Sequence, residues 1–158
     1  MTEQAIETVP ALRAWTRLLR AHARTTRTLN AQLLEEHGLT INDFEALYVL
    51  AHADEGRLKR VELARRLLLT PSGITRLLAG LEQSGLVERA SCATDLRVTY
   101  AQLTDAGRER LDAAWCSHMN AVQSLLEEHL SEDEMESLSE ALGKLPGVLE
   151  DSDACAVD

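Results

Sequence analysis

The residues with the clearest chemical purpose lie together in Thr70-Pro71-Ser72-Gly73-Ile74-Thr75-Arg76. Threonine followed by proline reads as an N-cap and a first helical residue, so Ser72, Thr75 and Arg76 fall in the opening turns of a helix. Small hydroxyl side chains let a helix end approach a polyanion closely and donate to phosphates or base edges. Arg76 reaches a phosphate or a guanine edge, and the unsatisfied N–H groups at the helix start add an anion site. Thr70, Ser72, Gly73, Thr75 and Arg76 are therefore the candidate contacts to the major groove of double-stranded DNA. Arg97, two residues after Asp95 in a polar stretch, is placed to enter a narrow minor groove, with Asp95 orienting an arginine or stabilising the turn. Arg89 precedes that stretch and is read, like Arg57, Lys59, Arg60, Arg65 and Arg66, as either a phosphate contact or a solvated charge.

The charge distribution supports this placement. The chain of 158 residues carries a net charge of -10, yet residues 57–97 hold 8 bases and 4 acids while residues 98–158 hold 3 bases and 14 acids. A polyanion would therefore meet the middle of the chain and be repelled by its last third. No glycine-rich phosphate loop, nucleophile with a positioned base or pair of buried carboxylates is recognisable, which argues against an enzyme. Three cysteines without a CxxC pair indicate reduced thiols rather than a disulfide framework or zinc finger. His118 and His129 share a helix face but stand roughly 16 Å apart along it, too far to hold one ion together. No metal or cofactor is expected. No apolar run of 18 residues and no signal-like N-terminus occur, so the expected place is the cytoplasm, with no membrane contact.

The elements that must position these residues follow from hydrophobic period and punctuation. Leu12, Trp15, Leu18, Leu19, His22, Leu29 and Leu33 recur at helical steps, predicting a long amphipathic helix from Val9 to about Glu36 with Gly38 as its stop. Thr40 and Asp43 form a capping pattern for a second helix to about Ala53 that buries Phe44, Leu47, Tyr48 and Leu50. Two short helices follow, Arg60 to Leu68 burying Val61, Ala64 and Leu67, and Pro71 to Gln83 burying Ile74, Leu77, Leu78 and Leu81, with Gly85 as the stop. Their tight connection matches a helix-turn-helix whose second helix enters the major groove. Residues 86–89 and 97–100 favour strands and predict a hairpin, which makes the motif winged. Thr104 opens a long helix to about Leu130. Ser131 and Glu134 cap a last one that buries Met135, Leu138, Leu142 and Leu145.

The expected fold is thus mainly α with a small β wing. Residues 38–104 form a winged helix-turn-helix, residues 1–37 and 105–150 form long dimerisation helices, and residues 151–158 form an acidic tail. The apolar stripes of the outer helices need covering, and a two-fold homodimer covers both with one surface. Such a dimer sets two recognition helices about one DNA turn apart, roughly 34 Å, and predicts a near-palindromic operator. A helical adaptor that binds only protein is the alternative from another class.

Read in order, Leu39-Thr40, Leu63-Ala64-Arg65-Arg66-Leu67, Thr70 to Arg76, Leu81 to Arg89, Asp95-Leu96-Arg97 and Leu103-Thr104-Asp105-Ala106-Gly107 resemble the MarR family of transcription regulators. The resemblance spans nearly the whole chain; at the wing it departs, with Leu96 where the family usually has Gly or Arg. It implies a homodimeric winged helix-turn-helix protein, most often a repressor, released by a small molecule or by thiol oxidation. By position Ser72, Thr75 and Arg76 match the family's major-groove residues and Arg97 its wing-tip arginine. The resemblance further implies an effector pocket where the first helix, the second helix and the winged domain meet. Arg13, Trp15, His22, Phe44, Tyr48 and His52 would line it here and suit an aromatic carboxylate or phenol. The rival switch is oxidation of Cys92, whose thiol pKa Arg89 and Arg97 would lower; no cysteine precedes Cys92.

Overall fold

A computed structural model of the chain describes residues 9–91 and 99–145. Cys92, Asp95, Arg97 and Cys155 lie outside the described residues. The helices are α1 (Pro10–His37), α2 (Ile41–Ala51), α3 (Arg60–Arg66), α4 (Pro71–Gln83), α5 (Asp105–Glu127) and α6 (Glu132–Gly143). The strands are β1 (Arg57–Lys59), β2 (Val87–Ser91) and β3 (Thr99–Leu103). They form one antiparallel sheet in the order β1-β3-β2, with Leu58 opposite Ala101 and Val87 opposite Leu103. The fold is mainly α with a small winged sheet, as the sequence reading expects.

Helix ends lie where their side chains dictate. Gly38 turns to φ +66 at the end of α1 and its N–H bonds Leu34 O at 3.1 Å, a left-handed cap that glycine adopts without strain. Arg110 of α5 donates to His37 O at 2.7 Å, placing a cation on the negative end of α1. Thr40 and Asp43 make a complete capping box for α2, and Ser131 and Glu134 another for α6. The carboxylate of Glu134 accepts from Ser131, which holds its pKa below the usual range.

The chain divides into two compact units, Met1–Met119 and Asn120–Asp158. In the first, Leu33, Leu39, Leu47, Leu50, Leu63, Leu78 and Leu81 form the core with Leu111 and Ala114, so α1 and the first half of α5 pack with the winged module. Phe44 and Tyr48 stack near Trp115, at 6.0 and 5.3 Å between ring centres, and His118 lies 4.6 Å from Phe44. His118 Nδ1 is buried with no hydrogen-bond partner among the described residues. Burial, and secondarily the charge of His37, lower the His118 pKa. In the second unit α6 buries no side chain fully: Met135 and Leu142 are half-buried, and Leu138 and Leu145 are exposed.

Several expectations shift. β1 is a strand that the sequence reading misses, because three residues, Arg57-Leu58-Lys59, are too few to show a period. On α3 the buried residue is Leu63, while Val61 is 83% exposed; seven residues make the helical phase ambiguous, and packing on α2 and α4 decides it. On α1 Leu33 is fully buried, Leu12, Leu18 and Leu29 are partly buried and Trp15 is 57% exposed, so among the described residues part of its apolar stripe faces solvent.

The start of α5 is sealed by one close approach. Thr104 Oγ1 donates to Gly85 O at 2.8 Å and accepts from Gly107 N at 3.0 Å, while Thr104 N bonds Leu86 O. A Cβ on Gly107 would stand 2.1 Å from Leu86 O and 2.8 Å from Leu103 Cδ1. Gly107→Ala is therefore expected to destabilise by about 3 kcal/mol, because the obstructing atom is backbone. Gly80→Ala, whose Cβ meets nothing within 4 Å inside a helix, is expected to stabilise by about 0.5 to 1 kcal/mol. Urea unfolding of the two variants checks both signs. His118 yields a further expectation: the unfolded chain takes up its proton near the ordinary value of 6.5 while the folded chain resists it. Stability should therefore fall as pH drops below that value, and the fall should be shallower in His118→Leu.

Candidate nucleic-acid interface

The start of α4 is set by its first turn. Thr70 is the N-cap of α4, its Oγ1 accepting from Gly73 N at 3.1 Å, and Pro71 fills the first position, where no N–H is missed. A Cβ at Gly73 would lie 3.2 Å from that Oγ1, so the small residue keeps the cap in place. Ile74, Leu78 and Leu81 anchor the inner face. Ser72, Thr75, Arg76 and Ala79 are consequently turned to solvent on the opposite face, a donor row ending in a small residue. Between α3 and α4 the chain turns at Leu68, which takes φ +52 and is 85% exposed.

The hydroxyls are not equally available. Thr70 acts as cap and lies 3.2 Å from Ser72 Oγ. Thr75 Oγ1 donates to Pro71 O at 2.7 Å and accepts from Arg60 Nη2 at 2.9 Å, so its single proton stays on its own helix.

The structure also sorts the basic residues that the sequence reading leaves undivided. Glu62 binds both Arg65 and Arg66, and these two guanidinium groups hold its carboxyl down to about 2. Arg57 pairs with Glu55 and lies over the Tyr100 ring, and Arg89 is 3.8 Å from Glu82. Lys59, Arg60 and Arg76 have no acidic partner among the described residues. The sequence reading separates neither Lys59 nor Arg60 from the rest, and of the two it is Arg60 that has a partner on another helix. No local signal marks it, because its partner lies 15 residues along the chain on another helix.

Of the candidate effector residues, Phe44 and Tyr48 belong to the aromatic cluster, and Tyr48 lies 4.2 Å from the His52 ring. Arg13, Trp15 and His22 are exposed on α1, with His22 close enough to Glu45 to oppose the rise in pKa that burial gives its carboxyl. An open cavity of about 570 Å³ lies elsewhere, between α3 and the start of α4, lined by Ala64, Leu69 and Ile74 together with Lys59, Arg60 and Thr75. Among the described residues no helix is long and apolar enough to cross a membrane, and no cluster of three metal-binding side chains occurs.

This arrangement of recognition helix and paired strands has close counterparts. The MarR family model matches residues 37–97, from the end of α1 to just before β3. The HTH-type transcriptional regulator MhqR of Bacillus subtilis is 30% identical over 126 residues, covering 78% of this chain and 85% of the relative. The chain belongs to the MarR family. A second relative, the HTH-type transcriptional repressor YetL of Bacillus subtilis, is 33% identical over 108 residues, 68% of this chain and 64% of its own. Sco3205, a MarR family regulator from Streptomyces coelicolor solved in complex with DNA, superposes with a TM-score of 0.77 at 30% identity, over 82% of this chain and 81% of that one. As a MarR-family protein the chain is a DNA-binding transcription regulator and not an enzyme.

The sorting of the bases predicts a contrast. Arg76→Ala should weaken duplex binding tenfold or more, on the order of one lost base or phosphate contact. Arg66→Ala should change it by less than about threefold, because an exposed guanidinium already paired with Glu62 contributes little. Fluorescence anisotropy on a labelled duplex reads both.

Proposed function

We propose that this regulator is a cytoplasmic homodimeric repressor that holds a near-palindromic operator and releases it when a small aromatic or phenolic effector binds. The observation that carries the reading is the exposed face of α4, where Ser72 and Arg76 stand beside Thr75 with no acidic partner among the described residues. On it, Ser72 and Arg76 face the major groove, with Thr70 and Gly73 setting the helix start and Arg89 on the flanking backbone. Arg97 at the wing enters the minor groove, supported by Asp95.

The dimer reading rests on apolar surface that one chain leaves in water. Trp15 and Leu19 of α1 and Leu138 of α6 are 57%, 49% and 42% exposed. Burying each across a two-fold axis would contribute about 25 cal/mol per Å² twice over. Repression is the activity named for YetL, and DNA is the ligand in the Sco3205 complex. For the effector, Phe44, Tyr48 and His52 supply aromatic walls, and Arg13, Trp15 and His22 of α1 supply a cation and a second wall.

Selection of genomic fragments on the purified protein at near-physiological salt tests the reading. Recovery of one near-palindrome, bound by a dimer in sedimentation and lost in Arg76→Ala, is the expected result. No enriched sequence would overturn the DNA reading in favour of a helical adaptor. Release on mild oxidation alone, abolished in Cys92→Ser, would replace the small-molecule switch with a thiol switch.

A further inference from the structure

We propose that Arg60 is a base-reading residue of the DNA interface and that Thr75 is its positioning residue. This deepens the DNA-binding reading and rests on it. Arg60 opens α3, the first helix of the helix-turn-helix, yet its guanidinium donates to Thr75 Oγ1 at 2.9 Å on the second turn of the recognition helix. Thr75 Oγ1 is locked in turn by its own bond to Pro71 O at 2.7 Å, which uses its only proton. The Thr75 hydroxyl therefore has no proton left for a phosphate or a base edge. It acts as an acceptor that fixes an arginine delivered from the neighbouring helix.

Two further observations separate Arg60 from the four arginines of the module that pair with carboxylates. Arg57, Arg65, Arg66 and Arg89 all lie against carboxylates, whereas Arg60 rests on a neutral hydroxyl and keeps its full charge. Its position also does nothing for its own helix. A cation at the first residue of α3, directly after Lys59, opposes the helix dipole, so local stability does not explain the residue.

The geometry points to a base rather than to the DNA backbone. Thr75 shares the solvent face of α4 with Ser72 and Arg76, the face that a recognition helix turns to the groove floor. A guanidinium held there by one N–H retains four donors in a planar fork, which matches the O6 and N7 acceptors of guanine. An arginine anchored in advance also loses less rotamer freedom on binding than a free one. The half-site should therefore contain a guanine whose recognition depends on Arg60.

The test uses the full chain. Random-sequence duplexes are selected on the wild-type protein, and the best duplex is then altered one base pair at a time and titrated against wild type, Arg60→Ala, Arg60→Lys, Thr75→Val and Thr75→Ser. Thermal unfolding of each variant confirms folding. Arg60→Ala is expected to bind roughly tenfold to a hundredfold more weakly and to lose discrimination at one G·C pair in each half-site. Arg60→Lys should fail to restore that discrimination, because lysine lacks the fork. Thr75→Val should reproduce the same loss at the same base pair, Thr75→Ser should retain it, and Arg60→Ala with Thr75→Val should add little beyond Arg60→Ala. A loss in Arg60→Ala spread evenly over all base pairs, with a shallower salt dependence, would mark a phosphate contact and overturn the base-reading assignment. Unchanged binding in Arg60→Ala while Arg76→Ala abolishes it would overturn the proposal and leave the regulator reading standing. Failure of the wild-type protein to select any sequence would overturn both.

Discussion

The approach of Gly107 to the carbonyl of Leu86 is the constraint on which the rest of the winged module depends. At this point the exit of the recognition helix, the base of the wing and the start of α5 meet within one turn of backbone. Thr104 joins all three by donating to Gly85, bonding Leu86 and capping Gly107. Only a residue without a Cβ lets α5 come this close, since any side chain would enter the carbonyl at 2.1 Å. The contact fixes where α4 ends relative to the sheet, and hence where its donor face points. The motif Leu103-Thr104-Asp105-Ala106-Gly107 is therefore a packing device, even though its place in the sequence, just after a hairpin, invites a functional reading.

Within this frame α4 divides its few polar groups between those bonded within the fold and those left outward. Thr70 caps, Gly73 leaves room for the cap, and Thr75 ties α3 to α4 through Arg60. Ser72 and Arg76 remain turned outward, without an acidic partner among the described residues. The division follows from hydrogen-bond capacity, since a hydroxyl has one proton and a helix start has several backbone donors to satisfy. The same accounting applies to the bases. Glu62 is shared by two arginines on α3 and cancels one of their two charges, so the positive field of the module is smaller there than a count of its bases suggests.

The aromatic cluster between α2 and α5 shows another kind of dependence. Phe44 and Tyr48 stack near Trp115, and Phe44 also lies against His118, whose buried Nδ1 has no partner among the described residues. Such a group is held in place by packing and resists protonation because of burial. It sits on the first half of α5, whose Leu111 and Ala114 are core residues of the winged module. The first half of α5 is thereby packed on the helix that carries Phe44 and Tyr48.

Much of this was legible in the sequence. Helix caps are local chemistry, so Thr40 with Asp43, Thr70 with Pro71 and Ser131 with Glu134 could be read directly, as could the glycine stop at Gly38 and the limits of α4. Family membership was legible for the same reason, because its motifs are short runs whose residue types are fixed by turns, caps and one close approach. What the tertiary structure alone decided were matters of phase and partnership. Which residue of the short α3 faces inward, that Arg57-Leu58-Lys59 pairs as a third strand, and that Arg60 lies on Thr75 all depend on groups distant in sequence. Three residues of strand or seven of helix carry too little periodicity to specify a face, and a hydrogen bond across 15 residues leaves no pattern in either segment. Local propensity sets where elements begin and end, whereas contacts between elements decide which side chains are left free to act.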